Sequence, residues 1–200
     1  EEVDFVLEGG SLESDGEGTI LTTSACLCNP NRNSGLSKKE IEEKLHTYLG
    51  AQRVLWLDHG YLAGDDTDSH IDTLARFVNK TTIMYVKCED QKDEHYEALQ
   101  KMEVQLKSFT TSQGEPYMLI PLPMCEAKYN DDGERLPATY ANFLITNDAL
   151  IYPTYHDKND TKVGEIFKEM FPDKEIIPIN CLKLIEQGGS LHCSTMQIAY

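Results

Sequence analysis

The sequence predicts an α/β fold assembled from repeated ββαβ units. Three observations carry this. Short stretches rich in β-branched and aromatic residues recur along the whole of the 200 residues, and three helical patterns interrupt them. The tetrapeptide Gly9-Gly10-Ser11-Leu12 returns as Gly188-Gly189-Ser190-Leu191. Two or three strands, a helix and a further strand recur about three times.

Alternation of Val3, Phe5 and Leu7 predicts a strand over Asp4–Leu7, and Thr19–Thr23 is rich in β-formers. Cys26 and Cys28 alternate on an extended stretch and would share one face, as small buried apolar residues. Ser37-Lys38-Lys39-Glu40 is a capping box, Ile41, Leu45 and Leu49 mark one helix face, and Gly50 ends the helix. Strands follow over Arg53–Leu57, Leu74–Val78 and Ile83–Lys87. A second helix begins at about Asp93, with Leu99, Met102, Leu106 and Phe109 facing inward. Strands are expected over Tyr117–Leu122, Asn142–Thr146, Leu150–Tyr155 and Glu175–Ile179, with Asn147-Asp148 as a hairpin turn. The stretch from Tyr129 to Pro137 reads as a polar surface loop. Val163, Ile166, Phe167 and Met170 carry the third helix, which Pro172 stops.

Composition narrows the function. Hydrophobic residues make up 40% of the chain, enough for a core. With 18 basic against 34 acidic residues the formal net charge is −16, which argues against nucleic acid as a partner and suits a small cationic substrate. The six cysteines are irregularly spaced with no C-x-x-C pair, so they read as free thiols in a reducing cytoplasm. No apolar run is long enough for a transmembrane helix, and no signal peptide is visible. Residue 1 is Glu and a strand is expected at once, so the chain reads as starting inside a domain, with upstream sequence cleaved or omitted.

One cysteine, one histidine and several carboxylates stand out: Cys193, His70, Asp72, Asp66 and Glu8. Together they fit nucleophilic displacement of ammonia from a guanidinium. The carbon is planar and delocalised, so it needs a thiolate. The departing nitrogen needs an acid and the attacking water a base, and one histidine can serve as both. Paired N–H···O bonds from carboxylates fix the cation's plane. No metal and no organic cofactor is required. Taken singly, each residue has a plainer reading: a buried thiol, a satisfied histidine, a solvated acidic turn. His46, His59, His95, His156 and His192 read as such satisfied polar residues. A Ca²⁺ loop at Gly64–Asp72 fails because no Glu closes it.

The joint arrangement resembles a known family. Glu8-Gly9-Gly10-Ser11, Asp15-Gly16-Glu17-Gly18-Thr19, Leu21-Thr22-Thr23, Asn29-Pro30-Asn31-Arg32-Asn33 and Val54-Leu55-Trp56-Leu57 look like the agmatine deiminases. So do Gly64-Asp65-Asp66-Thr67-Asp68-Ser69-His70-Ile71-Asp72, Asn142-Phe143-Leu144-Ile145 and Gly188-Gly189-Ser190-Leu191-His192-Cys193. The group includes the Porphyromonas-type peptidyl-arginine deiminases, within the guanidino-modifying pentein superfamily. The resemblance implies a five-bladed α/β propeller of ββαβ units, of which this chain supplies roughly the last three blades. It also implies residue roles: Cys193 as nucleophile, His70 as acid and base, Asp72 on the guanidinium, Glu8 orienting His70, and an acidic residue at Asp66 on the amine tail. Two departures are visible. The family's Trp-x-Arg-Asp segment upstream of Glu8 is absent, the sole Trp being Trp56, and Ser69 stands where an Asp-Gly-His segment carries glycine.

Residues 1–200 are thus expected to be the C-terminal part of a single deiminase catalytic domain. The expected reaction converts agmatine and water to N-carbamoylputrescine and ammonia in the cytoplasm, with neither nucleic acid nor membrane as partner. The missing N-terminal part of the same protein, or a second copy in a homo-oligomer, is an expected partner. The alternatives are citrullination of peptidyl arginine and a non-catalytic fragment or assembly subunit.

Overall fold

A computed structural model describes residues 3–198. Three ββαβ units follow one another. The first contains β1 (Leu12–Ser14), β2 (Thr19–Thr23), the short helix α1 (Ser24–Leu27), α2 (Lys38–Leu49) and β3 (Arg53–Leu57). The second contains β4 (Ala75–Asn79), β5 (Thr82–Lys87), α3 (Tyr96–Ser108) and β6 (Met118–Pro123). A two-stranded hairpin, β7 (Lys128–Tyr129) and β8 (Arg135–Leu136), precedes the third, which contains β9 (Leu144–Ile145), β10 (Ala149–Thr154), α4 (Asp160–Met170) and β11 (Glu175–Asn180).

Each unit has the same topology. Its first two strands pair antiparallel and its last strand returns parallel to the second, after the helix. A parallel return needs a crossover, and the helix supplies it. The middle strand is covered on both faces, so β2 is buried throughout and β5 nearly so.

Three apolar clusters hold the units. Ile20, Cys26, Leu27, Ile41 and Leu45 pack under α2. Leu55, Leu57, Leu99, Met102 and Leu106 pack under α3. Phe143, Tyr152, Val163 and Phe167 pack under α4, with the rings of Phe143 and Phe167 edge to face at 5.0 Å. The capping box forms, and Gly50 ends α2 in the left-handed region at φ 70°. No helix among the described residues is long and apolar enough to cross a membrane.

Several expectations need correction. Asp4–Leu7 is not a strand: the Val6 backbone exchanges hydrogen bonds with the Asn33 side chain, so no neighbouring strand pairs with it. The segment carrying Cys26 and Cys28 is helical: Thr23 caps α1 by accepting from the Cys26 amide, which buries Cys26 and leaves Cys28 exposed. The stretch from Tyr129 to Pro137 forms most of the β7–β8 hairpin, closed by the Asn130 side chain accepting from the amides of Asp132 and Glu134. The second helix starts at Tyr96, because Asp93 folds the preceding turn back by accepting from the His95 amide. Asn142 lies outside its strand, which shrinks to Leu144–Ile145.

Candidate active site

The segments that lead into the first strand of each unit converge. Glu8 precedes the 3-10 turn Gly9–Ser11 that feeds β1. His70 and Asp72 flank the start of the 3-10 turn Ile71–Thr73 that feeds β4. Asn142 stands just before β9, and Cys193 lies in the 3-10 turn His192–Ser194 beyond β11.

Asp72 is the centre. It is 0% exposed, and its Oδ2 lies 2.7 Å from His192 Nδ1 and 3.7 Å from Cys193 Sγ. Its other oxygen, Oδ1, is buried without a hydrogen-bond partner. His70 lies near the same carboxylate, across Gly10. A Cβ on Gly10 would meet His70 Nδ1 at 2.7 Å and Asp72 Oδ2 at 2.8 Å, so the missing side chain of Gly10 is what lets the two groups close on each other. His70 and Cys193, far apart in sequence, therefore border one carboxylate.

The sulfur is held from several sides. Asn142 Nδ2 donates to Cys193 Sγ at 3.3 Å and to the Asp72 carbonyl at 3.2 Å, while Asn142 Oδ1 accepts from the Cys193 amide at 3.2 Å. Cys193 presents exposed surface overall, yet its sulfur is crowded by Asn142, Gly189 and Asp72. Burial of the thiol, then the Asp72 carboxylate, push it up to about 11.

Glu8 lies on the more exposed side. Its Oε2 is 3.4 Å from His70 Nε2, without the alignment of a hydrogen bond. Arg32 donates to both Glu8 oxygens, to Asp68 Oδ2 at 2.7 Å and to the Thr67 carbonyl at 3.0 Å. Burial pushes the Glu8 carboxyl upward, but Arg32 and then His70 outweigh it and hold the group below its ordinary value. Glu8, Cys26 and His70 also bring three potential metal ligands within 4.8 Å of one another. Both Glu8 oxygens already serve a fixed cation, and burial pushes the Cys26 thiol up to about 12, so the trio is a poor cation site.

The acidic loop divides its labour. Asp65 accepts from Thr67 and from the Ser69 amide, shaping the turn. Asp68 pairs with Arg32, and Asp66 packs on Gly188, where a Cβ would meet its carboxylate at 2.8 Å. Asp68 and Ser69 take φ of 59° and 65°. That left-handed geometry accounts for glycine suiting the position before the histidine.

Sequence reasoning missed Asn142, Arg32, Arg76 and His192 as parts of the site. The strand expected over Asn142–Thr146 hides Asn142, and the reading of His192 as a satisfied histidine hides its contact with Asp72. The signal for His192 was its place beside Cys193.

Comparison with known proteins follows this geometry. A family model described as Porphyromonas-type peptidyl-arginine deiminase matches residues 1–199. A Lactococcus lactis protein named "Putative agmatine deiminase" is 38% identical, covering 97% of this chain and 57% of its own length. A solved structure of the "Putative Arginine Deiminase" from Porphyromonas gingivalis is 57% identical with a TM-score of 0.94, over 97% of this chain and 57% of that one. A C. jejuni agmatine deiminase variant with substrate bound is 47% identical with a TM-score of 0.89, over 96% and 56%. A dimethylarginine dimethylaminohydrolase at 13% identity and a TM-score of 0.50 shares the α/β fold alone. The chain thus spans about 57% of the length of the curated relative from Lactococcus lactis.

Proposed function

The chain belongs to the Porphyromonas-type peptidyl-arginine deiminase family, and on that premise we propose that the protein containing it hydrolyses agmatine to N-carbamoylputrescine and ammonia. The observation that carries the reading is the buried, unpartnered Oδ1 of Asp72 beside the Cys193 sulfur. A buried carboxylate oxygen without a donor is costly, and a guanidinium N–H satisfies it. The relatives named as agmatine deiminases support agmatine as the source of that group.

The steps follow from the geometry. The guanidinium docks on Asp72, and its charge offsets the carboxylate that, after burial, contributes most to holding the thiol protonated. His70 takes the Cys193 proton, and the thiolate adds to the guanidinium carbon. His70 returns the proton to the departing nitrogen, the C–N bond breaks and ammonia leaves. An S-alkylthiouronium remains on Cys193. His70 then deprotonates water, the hydroxide adds to the same carbon, and the C–S bond breaks. The ureido product departs after its hydroxyl proton is lost to the released ammonia, and His70 returns the water proton to the sulfur, restoring the thiol and the neutral imidazole. Asn142 Nδ2, 3.3 Å from the sulfur, stabilises the thiolate in both halves of the cycle. Glu8 steadies His70, and Asp66, against Gly188, is assigned to the amine tail.

In this reading residues 1–200 form the C-terminal part of one catalytic domain and supply three blades of a five-bladed ring. Three ββαβ units in a chain spanning 57% of its relative support that count. The reaction is placed in the cytoplasm, a compartment in which six unpaired cysteines stay reduced.

A second reading, deimination of peptidyl arginine, is favoured by the family description. The head chemistry is the same and the tail differs. Full-length protein is assayed for ureido product and ammonia with agmatine and with an arginine-containing peptide. Turnover of agmatine at a kcat/KM well above the peptide's is expected, and loss of both activities in Cys193→Ala. Preference for the peptide transfers the assignment to the second reading, and no turnover of either rejects both.

A further inference from the structure

His192 is wedged between two buried ions. Its Nδ1 lies 2.7 Å from Asp72 Oδ2, and its Nε2 lies 3.4 Å from Arg76 Nη2. Arg76 is 5% exposed. Its guanidinium donates to Glu13 Oε1, to the Phe143 carbonyl at 2.5 Å and to the Ala141 carbonyl at 3.3 Å, and its carbon sits 4.9 Å from the centre of the Phe143 ring. Glu13 is 8% exposed and its second oxygen accepts from the Phe77 amide at 2.9 Å. Arg76 is fixed by β1, by its own strand β4 and by the segment leading into β9.

A guanidinium has donors and no acceptor. The His192 nitrogen that faces it must therefore accept, which puts the ring proton on Nδ1, facing Asp72. The His192 amide also donates to the Asn142 carbonyl at 3.2 Å, so the backbone beneath the ring is anchored. Asp72 Oδ2 is thereby tied down, and Oδ1 is left bare.

We propose that His192 is a positioning residue: Glu13 and Arg76 lock its tautomer, and its Nδ1–H sets the rotation of Asp72 so that Oδ1 is presented to the guanidinium. The role rests on the agmatine reading for its substrate, while the tautomer does not.

Two measurements on full-length protein test this. In ¹⁵N-histidine-labelled protein, the resonance assigned through its loss in His192→Asn is expected to be the Nδ1–H tautomer, and an Nε2–H tautomer would overturn the relay whatever the substrate. In kinetics, His192→Ala is expected to raise KM for agmatine by about 10- to 100-fold with a smaller change in kcat, as for loss of a hydrogen bond to a charged group. His192→Asn, whose amide can donate from near the Nδ1 position, is expected to recover most of that loss, whereas His192→Gln, reaching instead toward Arg76, is not. Equal damage in the Asn and Gln variants, or a KM unchanged in the Ala variant, would overturn the proposal. Failure of the wild type to turn over agmatine would reject the functional reading and leave the tautomer result standing on its own.

Discussion

On the side of the site built from Glu8, Arg32 and Asp68, the carboxylates face the surface, the Glu8 and Asp68 side chains being 42% and 47% exposed, while the Arg32 side chain between them is 10% exposed. On the side built from Asp72, His192, Arg76 and Glu13, the Asp72 side chain is 0% exposed and the Arg76 and Glu13 side chains are 6% and 10% exposed. Exposed ion pairs are screened and contribute little. Buried ones lose more when a partner is removed, because the remaining charge cannot be solvated. On the proposed mechanism the two sides have unlike tasks: the buried side fixes a carboxylate against the reacting atoms, and the exposed side tunes the histidine.

The largest effect is expected on the buried side. Asp72→Asn keeps the shape and removes the charge, and kcat/KM for agmatine is expected to fall by about 10²–10³. The melting temperature is expected to move little, since Glu13 still pairs with Arg76. A loss below tenfold would break the comparison, because the buried carboxylate would then not be the guanidinium's partner.

A smaller effect is expected across the site. Arg32→Gln leaves Glu8 without the cation that holds its carboxyl down. Its pKa rises, so the acid limb of the pH–rate profile moves toward neutral pH, and kcat/KM drops by about three- to tenfold. A loss as deep as that of Asp72→Asn would show that exposure does not separate the two sides.

The fold was legible where local signals agreed. Thr19–Thr23 and Arg53–Leu57 were bounded correctly from β-formers alone, and the capping box and Gly50 bounded α2. It failed where side chains replace ladder hydrogen bonds, as Asn33 does at Val6 and Thr23 at Cys26. Residue types single out Cys193, His70, Asp72 and Glu8, and the fold brings these four to one place. Arg76, Asn142 and His192 were not legible, since their places depend on contacts between units: Arg76 to Phe143, Asn142 to Asp72, His192 to Arg76. The repeated topology explains why the site forms at all. Glu8, His70 with Asp72, and Asn142 each stand at the approach to the first strand of a unit, and Cys193 reaches them from the turn beyond β11.

The proposed reaction stands on a covalent bond from Cys193 to the guanidinium carbon beside Asp72. Rapid acid quench of full-length protein with agmatine, followed by peptide mapping, tests it most directly. An adduct of agmatine less ammonia is expected on Cys193 and on no other cysteine. The same adduct on Cys26 or Cys28, or undiminished turnover in Cys193→Ala, would contradict it.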